Sequence, residues 1–303
     1  MYSEQDVSIV VPAYNIKERL TRLVGSLEKQ VQDPGSFETI IVDDGSSDGT
    51  KEYLQAYRGP LDLKYVLHQT NRGRSAARNS GINVATRNLI LFLDGDVIAS
   101  PDLVTRHVSF HTDGNRTLVG GVRYSKEFGA NGFTRYLETR GVMRGQSTGK
   151  ILPRYFLSGH SSVPLIAVQK VGGFDETIEY GEDIDFGIRL AQAGLEIYGN
   201  PSLSVVHQHV RTIEDAAKVT ESFGFKALPV LSRRYPALKN DLKLEVFEKS
   251  GIKAGVLRFF FMESIFKLIL RLASISPAIR LPSVIYSYIL YRSYLVGFGK
   301  NLK

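Results

Sequence analysis

Two apolar runs in this chain end abruptly in acids: NLILFL runs into Asp94 and Asp96, and FETIIV runs into Asp43 and Asp44. A strand of Leu, Ile and Phe gains nothing from carboxylates at its tip, because an unpaired charge resists leaving water. A cation has to meet them. A hard divalent ion suits, since Mg²⁺ and Mn²⁺ take carboxylate oxygens and share them with substrate phosphates. For either ending alone, a solvated Asp/Gly turn is the plainer account. Two such endings point instead to ligand chemistry at the carboxyl ends of a sheet, where open α/β folds bind. A calcium loop is the rival for Asp44, Ser46, Asp48 and Gly49, which occupy the first, third, fifth and sixth places of an EF-hand pattern. It fails at the twelfth place, where Gln55 stands in for a bidentate Glu, and it follows a strand rather than a helix.

Other residues could join this chemistry. In NRGRSAARNSG, Gly73 permits close backbone approach, and Arg72, Arg74 and Arg78 gather near a helix start. Those arginines could hold a ligand's phosphates or simply pair with neighbouring acids. GEDIDFGIRLAQAG begins a helix with Glu182 and Asp183 in its first turn, where acids are also favoured for electrostatic reasons alone. In SLSVVHQHV, His207 and His209 fall on one face of a strand, either as metal donors or as surface residues.

Taken together, VSIVVPAYN, VDDGSSDGT, NRGRSAARNSG, FLDGD, GGFDE and GEDID, in this order, resemble glycosyltransferase family 2 over about two thirds of the chain. The resemblance implies a GT-A fold, Rossmann-like, with a mostly parallel sheet flanked by helices. It also implies a nucleotide-sugar donor, a divalent metal (Mn²⁺ or Mg²⁺) and inversion at the anomeric carbon. By the same resemblance, Pro12, Ala13, Tyr14, Asp43, Asp44, Gly73, Arg78 and Asp94 border the donor. Asp43 would accept the imino proton of uracil, which favours a UDP-sugar. Tyr14 could pack on the base or belong to the core. Asp96, with Asp94 and His207, would hold the metal, and Asp183 would be the general base. Glu182 would meet acceptor hydroxyls or the sugar.

The elements that must position these residues alternate. Asn15 and Glu18 suggest a capping box for a helix with apolar positions Ile16, Leu20, Leu23, Val24 and Leu27. A strand to Asp43, a helix from Lys51, a strand at Leu63 to Leu67, a helix at Ser75 to Ala85 and the strand to Asp94 follow. Ser100 and Pro101 would open the next helix. This predicts an α/β catalytic domain over residues 1–215 and a C-terminal α-helical region over 216–303. Walker and dinucleotide-binding motifs are missing, which disfavours ordinary NTPases and dehydrogenases.

Composition narrows the setting. With 303 residues, 43% of them hydrophobic, the chain can build one large core plus an appendage. It has no cysteine, so disulfides and thiolate zinc sites are excluded. No leader is visible before the first strand, from which a cytoplasmic catalytic part is expected. The net charge of +7 is matched by the segment Lys239 to Lys303 alone, with eleven Lys/Arg against four Asp/Glu. Those charges punctuate apolar stretches rather than form a nucleic-acid face, and no nucleic-acid partner is expected. Residues 254–274 and 281–299 read as two strongly apolar helices. They could lie on an anionic membrane surface, with the enzyme at its cytoplasmic face, or form a hairpin or dimer contact. Residues 129–159, with Arg135, Arg140, Arg144, Lys150 and Arg154, could be a loop closing over an anionic acceptor or a solvated linker.

The function expected is transfer of a sugar from a nucleotide-sugar to a lipid-linked or membrane-proximal glycan. Three alternatives stand: a soluble or cell-wall polymer acceptor, with the terminal helices serving oligomerisation; a nucleotidyltransferase, which would want a glycine-rich loop near residue 12; and a sugar-binding scaffold without catalysis. The intact Asp43, Asp96 and Asp183 speak against the last.

Overall fold

The structure, a computed structural model, describes residues 2–31, 36–112, 115–140, 148–242, 263–275 and 281–300. Its strands are β1 (Val7–Ala13), β2 (Glu38–Asp43), β3 (Asp62–Leu67), β4 (Leu89–Leu93), β5 (Val97–Ile98), β6 (Arg116–Tyr124), β7 (Gly149–Lys150), β8 (His160–Pro164) and β9 (Glu196–His207). The helices are α1 (Lys17–Glu28), α2 (Thr50–Ala56), α3 (Arg74–Val84), α4 (Leu103–Phe110), α5 (Gly132–Leu137), α6 (Leu165–Lys170) and α7 (Glu182–Gln192), then α8 (Ile213–Lys226), α9 (Leu228–Arg234), α10 (Ala237–Asp241), α11 (Glu263–Ile275) and α12 (Ser283–Gly299).

Among the described residues the strands form one sheet in the order β3-β2-β1-β4-β8-β6-β9-β5, with β7 on β9. The first four run parallel, and β8 joins β4 antiparallel. Helices on both faces require parallel strands that are apolar on both sides. The continuous run in β1 nevertheless hides a two-residue alternation. Ile9, Val11, Ile41 and Leu91 face the layer of Leu20, Leu23 and Leu27 from α1. Val10, Ile40, Val42 and Phe92 face Ala77 of α3 and Phe186 and Leu190 of α7. Gly81 lets α3 lie close on β1, since a Cβ there would come within 2.5 Å of Val10 Cγ1. The chain leaves β1 for β2 on one side and returns to β4 on the other. The carboxyl ends of these strands therefore open at a topological switch point.

Three element starts differ from the sequence expectation. Asn15 does not cap α1: it takes a left-handed conformation (φ 52°), and its Oδ1 accepts the Ser47 amide instead. Asp48, from the turn after β2, accepts the Lys17 amide at 2.8 Å and so serves the α1 start from a distance in sequence. Helix α4 begins at Leu103, two residues after Pro101, with the Ser100 carbonyl accepting the Leu103 amide. Strand β9 begins before Pro201 rather than after it. The register against β6 slips between the Gly120 to Asn200 and Gly121 to Ser204 pairs, which places Pro201 in a bulge where it forfeits no ladder bond.

The chain divides into two compact units: Met1–Phe128, Glu138–Thr177 and Glu182–His209 form the first, and Gly129–Leu137, Ile178–Gly181 and Val210–Lys303 the second. The first unit holds the sheet. The core of the second gathers Phe133, Tyr136, Ile213, Ala217, Tyr286 and Ile289. Its helices α8 and α12 meet backbone to backbone, because Gly224 has no side chain to strike the Tyr294 carbonyl and Gly297 none to strike that of Glu221. On α12 the buried Arg292 donates to Glu263 Oε2 at 2.6 Å and lies 3.9 Å from the centroid of Phe266. The helix expected over 254–274 is described from Glu263 onward, and the rest of it lies outside the described residues, as does Arg144. Among the described residues no helix is long and apolar enough to cross a membrane.

Candidate active site

All the strand-end acids and Asp183 belong to the first unit. At the end of β2, Asp43 is buried and its Oδ1 accepts the Ser46 amide at 3.0 Å, which turns the chain at Gly45 (φ 79°). Gly45 is forced by proximity, since a Cβ would stand 2.7 Å from the Thr70 carbonyl carbon. Asp44 is engaged entirely by its own chain. Oδ1 accepts the Arg72 amide at 2.9 Å, Oδ2 accepts the Gly73 amide at 2.8 Å, and His68 Nδ1 lies 2.6 Å from Oδ1. Through these bonds Asp44 fixes the loop that carries Gly73 (φ 89°) into α3. Pro12 and Ala13 end β1, and Gly95 of the DGD turn packs against the Pro12 carbonyl, 2.9 Å from a hypothetical Cβ. Tyr14 is exposed rather than part of the core. A cleft of ≈530 Å³ opens beside the α1 start, lined by Asn15, Ile16, Lys17, Glu18, Arg19 and Asp48.

The arginines of α3 meet acids. Arg78 is 3% exposed and donates to Asp94 Oδ1 at 3.0 Å and to Glu182 Oε1 at 3.4 Å, with the Phe174 ring 5.5 Å away. Burial opposes its charge, but Asp94, Asp183 and Glu182 outweigh that and hold its pKa above the ordinary value. Arg74 pairs with Glu182 through Nε and donates to Oε2 at 2.9 Å. Glu182, expected to meet acceptor hydroxyls, is instead 1% exposed and clasped by two guanidinium groups. Burial, then the neighbouring Asp183, pushes its pKa up, while Arg74 and Arg78 pull it down. Asn79 anchors the GGFDE loop, accepting the Phe174 amide and donating to the Phe174 carbonyl, both at 2.8 Å.

Asp183 is held from one side only. Ser158, the residue before Gly159 and β8, donates its hydroxyl to Asp183 Oδ1 and its amide to the same oxygen at 3.3 Å. Oδ2 has no hydrogen-bond donor among the described residues. Asp96 and His207 form the other partly open group, with Oδ1 and Nε2 3.5 Å apart and side chains 20% and 22% exposed. Gln208 fixes this corner: its amide donates to the Asp96 carbonyl, and its side-chain nitrogen donates to the carbonyls of Arg19 and Val97. His209 lies beyond β9 and gives its amide to His207 Nδ1 at 3.1 Å.

The sequence profile described as "Glycosyl transferase family 2" matches residues 8–163, which span β1 through β8 and the DD and DGD turns. The chain belongs to glycosyl transferase family 2. Among relatives of this family 2 chain, the pre-mycofactocin glycosyltransferase of Mycobacterium tuberculosis is 31% identical over 77% of this chain and 49% of its own. The uncharacterized glycosyltransferase YfnE of Bacillus subtilis is 30% identical over 66% of this chain and 64% of its own. The chain thus spans from about half to just under two thirds of the length of these curated relatives. Mannosyltransferase PcManGT from Pyrobaculum calidifontis, solved with GDP-Man and Mn²⁺, shares the fold at a TM-score of 0.61 and 17% identity, over 98% of this chain and 87% of its own. S. aureus TarS 1-349, solved with UDP, does so at 0.56 and 18%, over 98% and 91%. The GT-A architecture expected from the motifs is the observed one.

A divalent metal, which the family implies, can be tested against the residues present. Carboxylate and imidazole are suitable donors for Mn²⁺, and Asp96 with His207 presents one of each, partly open to solvent. Asp94 is not drawn into that pair, because its Oδ1 is taken by Arg78; among the described residues no three metal-ligating side chains converge. Asp96 and His207 are thus the two side chains that would hold such an ion, and it would supply positive charge beside a phosphate. Ser158, His68 and Gln208 carry no signal of a site role in the sequence. No spacing marks them, since each acts through a partner on another element.

Proposed function

We propose that this chain is a metal-dependent, inverting glycosyltransferase that moves a sugar from a UDP-sugar to a hydroxyl of a membrane-proximal acceptor. The observation that carries the reading is Asp183. It stands at the start of α7 with one oxygen fixed by Ser158 and the other unengaged among the described residues, in the unit that holds the strand-end acids. A general base needs that arrangement: an oriented carboxylate with a free lone pair. In the step, the acceptor O–H gives its proton to Asp183 Oδ2 while its oxygen bonds to the anomeric carbon. The bond from that carbon to the phosphate oxygen breaks, and the electron pair leaves with the nucleoside diphosphate. Asp43 would read the base with its second oxygen, the first being held by Ser46. A bound Mn²⁺ or Mg²⁺, held by Asp96 and His207, would neutralise charge on the departing diphosphate. The solved neighbours with GDP-Man and Mn²⁺ and with UDP support a nucleotide-sugar donor and a metal.

The membrane-proximal acceptor rests on α11. That helix exposes Leu268 (58%) and Leu272 (59%) beside the cations Lys267 and Arg271, a pattern suited to an anionic lipid surface on the cytoplasmic side. A second reading, a soluble acceptor, is favoured by α12, whose Tyr286, Ile289 and Leu295 are already buried in protein.

The test is nucleoside diphosphate release from UDP-glucose, UDP-N-acetylglucosamine and GDP-mannose with Mn²⁺, in the natural chain and two variants. Asp183→Asn should retain UDP binding and lose roughly 10² or more in turnover. Asp96→Ala should lose the Mn²⁺-dependent part of UDP binding. Turnover by Asp183→Asn close to the natural rate would remove it as the base.

A further inference from the structure

Ser158 is completely buried and carries no chemistry of its own, yet both its donors end on one atom, Asp183 Oδ1. Two donors on one oxygen do more than satisfy it. They oppose rotation of the carboxylate about its last torsion, which is otherwise soft, and so decide which oxygen is presented. The following residue looks the opposite way. The Gly159 carbonyl accepts the Asp94 amide at 3.0 Å, and Gly159 lies so close to the Asp94 carboxylate that a Cβ would strike Oδ2. Asp94 is in turn tied to Arg78. One dipeptide therefore touches the acid at the end of β4 with one residue and the first turn of α7 with the next.

We infer that Ser158 is the positioning residue for Asp183, and that the Ser158 and Gly159 pair sets the separation between the base and the donor-side Asp94. This rests on the reading of Asp183 as general base. Placement matters because proton transfer needs the base within hydrogen-bond reach of the acceptor hydroxyl, and an ångström of misplacement is costly in rate. The role belongs to the hydroxyl. The Ser158 amide survives most substitutions, but at 3.3 Å it is the longer of the two contacts and leaves the carboxylate free to swing.

The test uses the full chain and follows UDP release from UDP-glucose, or GDP release from GDP-mannose if that is the better donor, with water as acceptor. Ser158→Ala should lower kcat at least tenfold with donor KM and UDP affinity within twofold of the natural chain. Ser158→Thr, which keeps a hydroxyl, should recover most of the loss. In an Asp183→Asn background, Ser158→Ala should remove nothing further, because the residue acts only through that carboxylate. A loss of the same size in both backgrounds, a loss seen in KM or UDP affinity, or an unchanged kcat would each overturn the assignment of Ser158 while leaving Asp183 in place. Asp183→Asn turning over like the natural chain would instead overturn the base itself, and this inference with it.

Discussion

Lowering the pH from 7.5 to 5 should destabilise the first unit by an amount that two buried histidines, His107 and His160, set. His160 Nδ1 lies 2.9 Å from the Gly121 carbonyl, which can only accept, so the proton sits on Nδ1. His160 Nε2 must then accept from His107 Nε2 at 3.0 Å, which leaves His107 Nδ1 to accept from the Ser162 hydroxyl at 2.8 Å. That hydroxyl oxygen accepts from His111 Nε2 at 2.7 Å. The two bonds in which a ring nitrogen accepts, at His160 Nε2 and His107 Nδ1, require those two rings to be neutral. Burial drives the His107 pKa well below its ordinary value, with His160, His111 and Arg106 adding to the effect. Burial likewise takes His160 from 6.5 to about 4, with Arg106 assisting and the Gly121 carbonyl and Asp94 opposing. The sign follows from proton uptake. Between pH 6.5 and 4 the unfolded chain holds protons on these rings that the folded chain refuses, so stability falls as pH falls through that window and is untouched above it. For His160 alone the difference is on the order of 2 kcal/mol at pH 5 and about 3 kcal/mol below pH 4. Urea unfolding from pH 7.5 to 5, with hydrogen exchange of the β8 amides as the local readout, measures it. His160→Gln should be less stable at pH 7.5 but lose about 2 kcal/mol less on acidification. Parallel pH profiles for the two chains would refute the reasoning, as would a natural chain whose stability is flat across the window.

The remaining expectations concern the donor, the second unit and the membrane. Since a carboxylate cannot donate to the bare ring nitrogen of cytosine, UDP should outcompete CDP by on the order of 1 to 3 kcal/mol, and equal affinities in a competition assay would show that Asp43 does not read the base. Gly297→Leu should destabilise the second unit by about 2 kcal/mol or more, seen as a lower urea midpoint, because the α8 backbone at Glu221 occupies the space a side chain needs. The full chain should co-sediment with vesicles rich in anionic lipid, more weakly at high salt, and the double change Lys267→Glu and Arg271→Glu should release it; a chain that stays in the supernatant favours the soluble acceptor.

What could be read in the sequence was whatever one segment determines alone. An apolar strand ending in acids announces itself within a few residues, and so does GEDID at a helix start, because burial pattern and local electrostatics suffice to place them. Residues whose conformation is decided by a distant partner could not be read. Asn15 resembles a cap in the sequence, but the Ser47 amide claims its side chain and the Ser46 hydroxyl accepts its backbone amide. Glu182 looked like an acceptor contact until two turns of α3 brought Arg74 and Arg78 onto it. The histidine chain joins α4 to β8 through Ser162, and no spacing in the sequence links those positions.

The insertion of β9 between β6 and β5 has a consequence for how the chain is made. Strand β5 follows directly on Asp96, yet among the described residues its one partner is β9, where Val97 faces His207. During synthesis the Asp43 turn and the β1 to β4 core can assemble early, since their contacts lie close together in the chain. The Asp96 and His207 pair is completed later: the Gln208 amide can reach the Asp96 carbonyl, and His207 can reach the Asp96 side chain, only once β9 has been made.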